Sequence, residues 1–207
     1  NEKHNIVHGN YLKEEEIKII VDSGASVTST PVAELQTHGV EPIIMKVSKL
    51  GGDPSIGSDL EIYSGAGMLD VLRSSLRSQR IFSNIKFFNE GMEGEKKSIT
   101  TRDALKWVTM NNAKALGMDQ IIGSLKPGKK ADIVLIDNES LNMTSTHSAE
   151  QAVVFHANES DIRFVLINGK KIKENGKLLI EEQKLKKWRE KLANSRQNLI
   201  SRSNYNF

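Results

Sequence analysis

The sequence predicts an α/β chain whose first half carries parallel strand–helix units and whose second half carries antiparallel strands. Two observations predict it. Short β-type runs alternate three times with segments of helical periodicity within the first 80 residues, the pattern of parallel β/α units. After residue 118 the texture changes to a glycine-rich turn feeding an apolar strand, followed by an Asn-Gly hairpin signal. The length of 207 residues allows one or two domains and a real core. Three parallel units cannot close a barrel, so they form either a small open sheet or the last portion of a larger wheel.

Taken in order, His4 to His8 is a brief β run stopped by Gly9-Asn10. Lys13 to Asp22 places Ile17, Ile20 and Val21 at helical spacing, with Glu14, Glu15 and Glu16 in the first turn where the helix dipole favours acids, and Gly24 as the terminating residue. Ala25 to Thr30 is β-branched and reads as the second strand, stopped by Pro31. A loop carrying Glu34 and His38 follows. Pro42 opens a short helix with Ile43, Val47 and Leu50 on one face. Ser55 to Ser58 is the third strand, and Met68 to Arg80 a longer helix with Leu69, Leu72 and Leu76 inward. Residues Asn84 to Ser98 read as a mobile loop. Thr100-x-x-Asp103 resembles a capping box that starts one helix running to Gly117, with Leu105, Val108, Asn112, Ala115 and Leu116 on a single face. The apolar strand of Gly123 to Asp137, the strands flanking Asn168-Gly169 and the run to Ile180 make the β module, and a charged helix with Leu185, Trp188 and Leu192 follows from Glu181. The boundaries are therefore 1–118, 119–180 and 181–207.

Composition excludes several classes. A net charge of +3 with no basic stripe interleaved with aromatics gives no case for nucleic acid. There is no cysteine, so a metal would sit on His, Asp or Glu. No apolar run approaches about 18 residues and no signal peptide is visible, which points to a soluble, cytoplasmic protein without membrane contact. The lysine and arginine excess after Glu181 reads as a solvated helix face. The opening Asn-Glu-Lys-His stands at the threshold of a strand and reads as the start of a fragment.

In a parallel sheet, ligands and catalytic groups gather at the carboxyl ends of the strands. Asp59 in Gly57-Ser58-Asp59 and His8 in Val7-His8-Gly-Asn10 both stand where a strand ends. Each also has a structural reading: Asp59 as a helix N-cap or Asx turn, His8 as a strand-end histidine bonding backbone. His38 in its polar loop also suits a solvated imidazole. His4, His147 and His156 read as structural, and Asp132 as the tie of a turn.

Four places resemble the carboxyl-terminal half of a metal-dependent amidohydrolase, of the branch holding heterocycle deaminases and triazine hydrolases and related to cytosine and guanine deaminases. Val7-His8-Gly-Asn10 is similar to the end of the sixth barrel strand, and Gly57-Ser58-Asp59 to the end of the eighth. Thr100 to Gly117 resembles the helix ending Asn-Ala-Ala-Lys-Ala-Leu-Gly. Gly123-Ser-Leu-Lys-Pro-Gly-Lys-Lys-Ala-Asp-Ile-Val-Leu-Ile-Asp137 is the most specific block, and the similarity spans roughly residues 4 to 180. The resemblance implies the carboxyl-terminal part of a (β/α)8 TIM-type barrel plus part of a small β-sandwich. It implies hydrolysis of a carbon–nitrogen bond other than a peptide bond, foremost deamination of a small heterocyclic amine, by a homo-oligomer with one divalent metal, zinc before iron. Asp59 would bind the metal and carry the proton, His8 would polarise the substituent of the attacked carbon, and Glu34 and His38, in Ser29 to Gln36 and just beyond, would contact substrate. Dechlorination or amide cleavage would use the same water attack, and a metal-free scaffold is the non-catalytic alternative. The departures are the His-x-His pair of the first strand, the histidine of the fifth strand and its nearby glutamate, for which His4, His8, His147 and His156 do not substitute. The expectation is a chain that is inactive alone and leaves an open sheet edge.

Overall fold

The computed structural model describes residues 1–64, 67–92, 99–144 and 147–203. Strands β1 (Asn5–Val7), β2 (Ser26–Ser29) and β3 (Ser55–Ile56) form a three-stranded, all-parallel sheet in the order β1-β2-β3. Between β1 and β2 runs α1 (Glu14–Asp22), and between β2 and β3 run α2 (Pro31–Thr37) and α3 (Ile44–Lys49). Helix α1 buries Ile17 against Val27 of β2 and against Ile43 and Val47 around α3. Its first turn is closed by Glu16, whose carboxylate accepts from the Lys13 N–H at 2.8 Å.

Three expectations are corrected in this half. The segment carrying Glu34 is helical rather than a loop. Pro31 ends the strand but also occupies the first turn of α2, where its missing N–H is no loss and its fixed φ suits the helix. His38 is the C-cap of that helix. The third strand stops at Ile56, two residues short of the reading. The long helix continues past Arg80: α4 (Glu61–Ser64) is short, whereas α5 (Met68–Asn89) runs 22 residues. Residues 84–89, read as loop, are its last turns. Gly91 at φ 67° closes it, with Gly91 N–H donating to Phe88 O and Met92 N–H to Phe87 O, a Schellman ending. Residues 93–98 of the expected loop lie outside the described residues.

The helix expected over 100–117 is two, α6 (Thr101–Val108) and α7 (Met110–Ala115). The capping box is present: Thr100 Oγ1 accepts from Asp103 N–H at 3.1 Å and the Asp103 carboxylate accepts from Thr100 N–H at 3.1 Å. The break falls at Thr109 (φ −121°, ψ −90°), whose hydroxyl donates back to Leu105 O at 2.7 Å and so competes with the helical ladder. The turn it creates points Asn111 and Asn112 at the sheet, where they donate to Pro54 O just before β3 (2.8 Å) and to Ile56 O on it (3.1 Å). Leu116, expected on the inner face, is exposed for the same reason.

The main core lies between this sheet and α5 and α6: Ile44, Ile56, Val71, Leu72, Leu76, Ala104, Trp107 and Val154. Each fully buried leucine here contributes about 2 kcal/mol. Strands β4 (Ile133–Ile136), β5 (Ile162–Ile167), β6 (Lys170–Glu174) and β7 (Lys177–Leu178) form a separate antiparallel sheet in sequence order. Asn168 and Gly169 both take positive φ, as a type I′ hairpin requires, and Asp132 ties that turn by accepting from Asn168 N–H at 2.6 Å. Between β4 and β5 lie α8 (Ala149–Gln151) and a π-helical turn (Ala152–His156). Arg73 of α5 joins the two halves by donating to Val154 O at 3.2 Å and Ala157 O at 2.5 Å. The final helix α9 (Glu182–Arg202) has no buried residue, and Trp188, Leu192 and Leu199 are exposed. Among the described residues no helix is long and apolar enough to cross a membrane.

Candidate functional site

Each of the three parallel strands delivers one group at its carboxyl end. The ladder carries on one residue past each strand: His8 N–H donates to Thr28 O and Gly57 N–H to Ser29 O, both at 2.9 Å. After β1 the chain turns at once, with His8 at φ 68° and Gly9 at φ 95°. A Cβ on Gly9 would stand 3.0 Å from Leu12 Cδ1, so glycine lets the turn close over that side chain. After β3, Gly57 and Ser58 lead to Asp59, also at positive φ (61°). These turns set His8 Nε2 3.9 Å from Asp59 Oδ2, with the two side chains 36% and 29% exposed.

Thr30, at the end of β2, links them. Its hydroxyl lies 3.2 Å from His8 Nδ1 and donates to Asp59 Oδ2 at 3.4 Å. The Asp59 carboxylate has no other hydrogen-bond donor among the described residues, in contrast to the fully bonded Asx turn that was its structural reading. Beneath this pair sits Glu34, completely buried. Its carboxylate lies 3.1 Å from His8 Nδ1 and accepts from Asn10 Nδ2 (3.1 Å), Ser29 Oγ (2.6 Å) and Thr30 N–H (2.8 Å). Asn10 is itself buried and also donates to Glu41 O at 3.2 Å. His38 stands edge-on to His8, ring centroids 5.5 Å apart, and Tyr11 packs on its other side at 5.9 Å while donating to His38 O at 2.9 Å.

The four residues singled out in the sequence thus meet at one end of one sheet. His8 and Asp59 face the open side, His38 lies half-buried beside His8, and Glu34 lies behind them. Thr30, Ser29 and Asn10 were missed as members of the site. The signal for Thr30 was its position, the last residue of a strand before Pro31; nothing local marked Ser29 or Asn10. Among the described residues no three His, Asp or Glu side chains gather closely enough to hold a metal. Asp59 fits as one arm of such a site: its carboxylate is accessible and carries a single long hydrogen bond, so an oxygen is free to ligate. A closed site needs about two or three further protein ligands.

Residues 3–172 match the amidohydrolase family, and the chain belongs to it. Over 168 residues it is 30% identical to a 5-methylthioadenosine/S-adenosylhomocysteine deaminase of Symbiobacterium thermophilum, covering 81% of this chain and 37% of the relative. A 5′-deoxyadenosine deaminase of Methanobrevibacter smithii is 30% identical over 186 residues, 88% of this chain and 40% of the relative. The chain therefore spans about two fifths of the length of these relatives. Among solved structures, a zinc-bound adenosine deaminase of Xanthomonas campestris superposes with a TM-score of 0.81 at 22% identity, over 94% of this chain and 43% of that one. A zinc complex of atrazine chlorohydrolase from Arthrobacter aurescens gives 0.77 at 18% identity, over 89% and 39%. These likenesses establish an α/β fold shared with amidohydrolases.

Proposed function

We propose that this chain supplies the strand-end acid and histidine of a metal-dependent hydrolase that deaminates an amino-purine nucleoside. The observation that carries the reading is the convergence of His8 Nε2 and Asp59 Oδ2, 3.9 Å apart at the carboxyl ends of β1 and β3. The substrate class is supported by the names of the relatives, adenosine-type deaminases altered at the 5′ position. In this reading residues 1–118 are the last β/α units of a (β/α)8 barrel, 119–180 part of a β-sandwich, and 181–207 a terminal helix and tail. The remaining metal ligands come from polypeptide outside these 207 residues, and the assembled enzyme is a homo-oligomer.

Asp59 would hold one divalent metal, zinc rather than iron, as zinc accompanies two of the neighbouring folds. When bound, that metal supplies Lewis acidity that makes hydroxide available near neutral pH. The Asp59 carboxylate would take the proton of the attacking water and return it to the departing nitrogen, as general base and then general acid. His8 Nε2, on the same open side, stabilises charge that develops on the ring atom under attack. His38, edge-on to His8, would contact the substrate.

The test is deamination of 5′-deoxyadenosine by the longer protein that carries the missing ligands. Asp59→Asn is expected to lower kcat by about 10³-fold or more with the fold retained. A normal rate in that variant removes Asp59 from the mechanism, and the absence of stoichiometric metal in the active preparation removes the metal. The 207-residue chain by itself is expected to show no turnover.

A further inference from the structure

Glu34 has no exposed surface, so it can reach a substrate only through another residue. Its two oxygens meet four nitrogen or hydroxyl groups. Two of these can only donate toward it, the Thr30 N–H and the Asn10 amide NH₂, which also bonds Glu41 O, and the Ser29 hydroxyl donates to it at 2.6 Å. Such a set suits an ionised carboxylate, which accepts only, and it repays the burial of the charge. The fourth neighbour, His8 Nδ1 at 3.1 Å, must then carry a hydrogen, because a bare ring nitrogen would set lone pair against lone pair. The Thr30 hydroxyl agrees with this. Its hydrogen goes to Asp59 Oδ2, leaving its oxygen, 3.2 Å from His8 Nδ1, as a second acceptor for the same N–H.

We propose that Glu34 is a positioning residue that fixes His8 in the Nδ1–H form and turns its ring so that Nε2 is the atom presented to Asp59 and to the substrate. The second clause rests on the hydrolytic reading of His8; the first does not. A histidine whose inner nitrogen is committed to a buried carboxylate has a defined orientation and a defined working atom, as metal-site and catalytic histidines require. Whether Nε2 acts through its lone pair or, once protonated, as a donor, the anchor is the same.

Nitrogen-15 NMR of the histidine rings tests this on the 207-residue chain, at about pH 9, above the ordinary imidazole pKa of about 6.5. The His8 signals are assigned by their loss in His8→Gln. Wild type is expected to show Nδ1 protonated and Nε2 bare. Glu34→Ala is expected to lose that preference and give the Nε2–H form as the majority. Thr30→Val, which removes the competing acceptor without changing the side chain's shape, is expected to leave Nδ1–H in place. An Nε2–H ring in wild type overturns the proposal even if Glu34→Ala fails to fold; so does Nδ1–H persisting in Glu34→Ala, or its loss in Thr30→Val. The spectrum needs no turnover. Inactivity of the longer, metal-loaded protein beside an Nδ1–H ring counts against the hydrolytic reading alone, and an active longer protein beside an Nε2–H ring against this proposal alone.

Discussion

At the scale of single residues, two buried acids in this protein each collect several donors and tie separate segments of the chain together. Asp161, buried between β4 and β5, is the second example after Glu34. Its carboxylate accepts from Ser140 Oγ at 2.8 Å, Asn142 Nδ2 at 3.0 Å and Asn158 N–H at 2.9 Å, tying the turn after β4 to the start of β5. Burial works to raise its pKa, but the bonds from Asn142, Asn158 and Ser140 outweigh it and hold the carboxyl below its ordinary value. A folded-state pKa below the unfolded one means that the unfolded chain binds the proton more readily. The stabilisation is therefore complete above the ordinary carboxylate range, about pH 4, and is lost as pH falls through the lower folded value. Asp161→Asn should lower the melting temperature at pH 7 and flatten its decline on acidification. An acid-melting curve parallel to wild type would show that Asp161 does not carry this dependence.

At the scale of elements, what holds each segment is mostly at its ends. Helix α6 has a short apolar face, with Ala104 and Trp107 buried, and begins at the reciprocal bonds between Thr100 and Asp103. Thr100→Ala should destabilise the chain by about 1 kcal/mol in urea unfolding; no change would mean that tertiary packing alone starts the helix. Such ends were the legible part of the sequence. The capping box, the terminating glycines at 24 and 117, the Asn168-Gly169 hairpin and the strand-end positions of His8 and Asp59 could all be read because each is a local requirement of backbone geometry. The misreadings came where one residue serves two purposes or where the decisive partner is remote. Pro31 stops a strand and starts a helix, so reading only the stop made α2 a loop. Thr109 splits a periodic stretch through a bond to Leu105 that periodicity does not reveal. Glu34 looked like an open contact because its donors come from the ends of β1 and β2, and no window on the sequence holds both.

At the scale of the whole molecule, the parallel sheet has two unlike edges. The outer edge of β3 is covered, since Asn111 and Asn112 bond carbonyls just before it and on it. Strand β1 has no strand or helix bonded to its outer edge among the described residues, and Val7 on it is half exposed. Helices α4 and α5 add Ile62 and Phe88, both more than 80% exposed. Unpaired strand edges beside apolar surface invite association. The isolated chain is expected to sediment as dimers or larger species at concentrations on the order of 10 micromolar. A compact monomer at that concentration would mean that the β1 edge is protected.

His8 and Asp59 share one further property: both have left-handed backbone, at φ 68° and 61°. An L side chain occupies that region at a cost of about 1 kcal/mol, which glycine escapes. For His8 the bond to Glu34 offsets that cost. Asp59, with one long contact to Thr30, has no comparable return in folding. On the hydrolytic reading proposed above, the costly twist at position 59 is the conformation that presents the Asp59 carboxylate at the open strand ends.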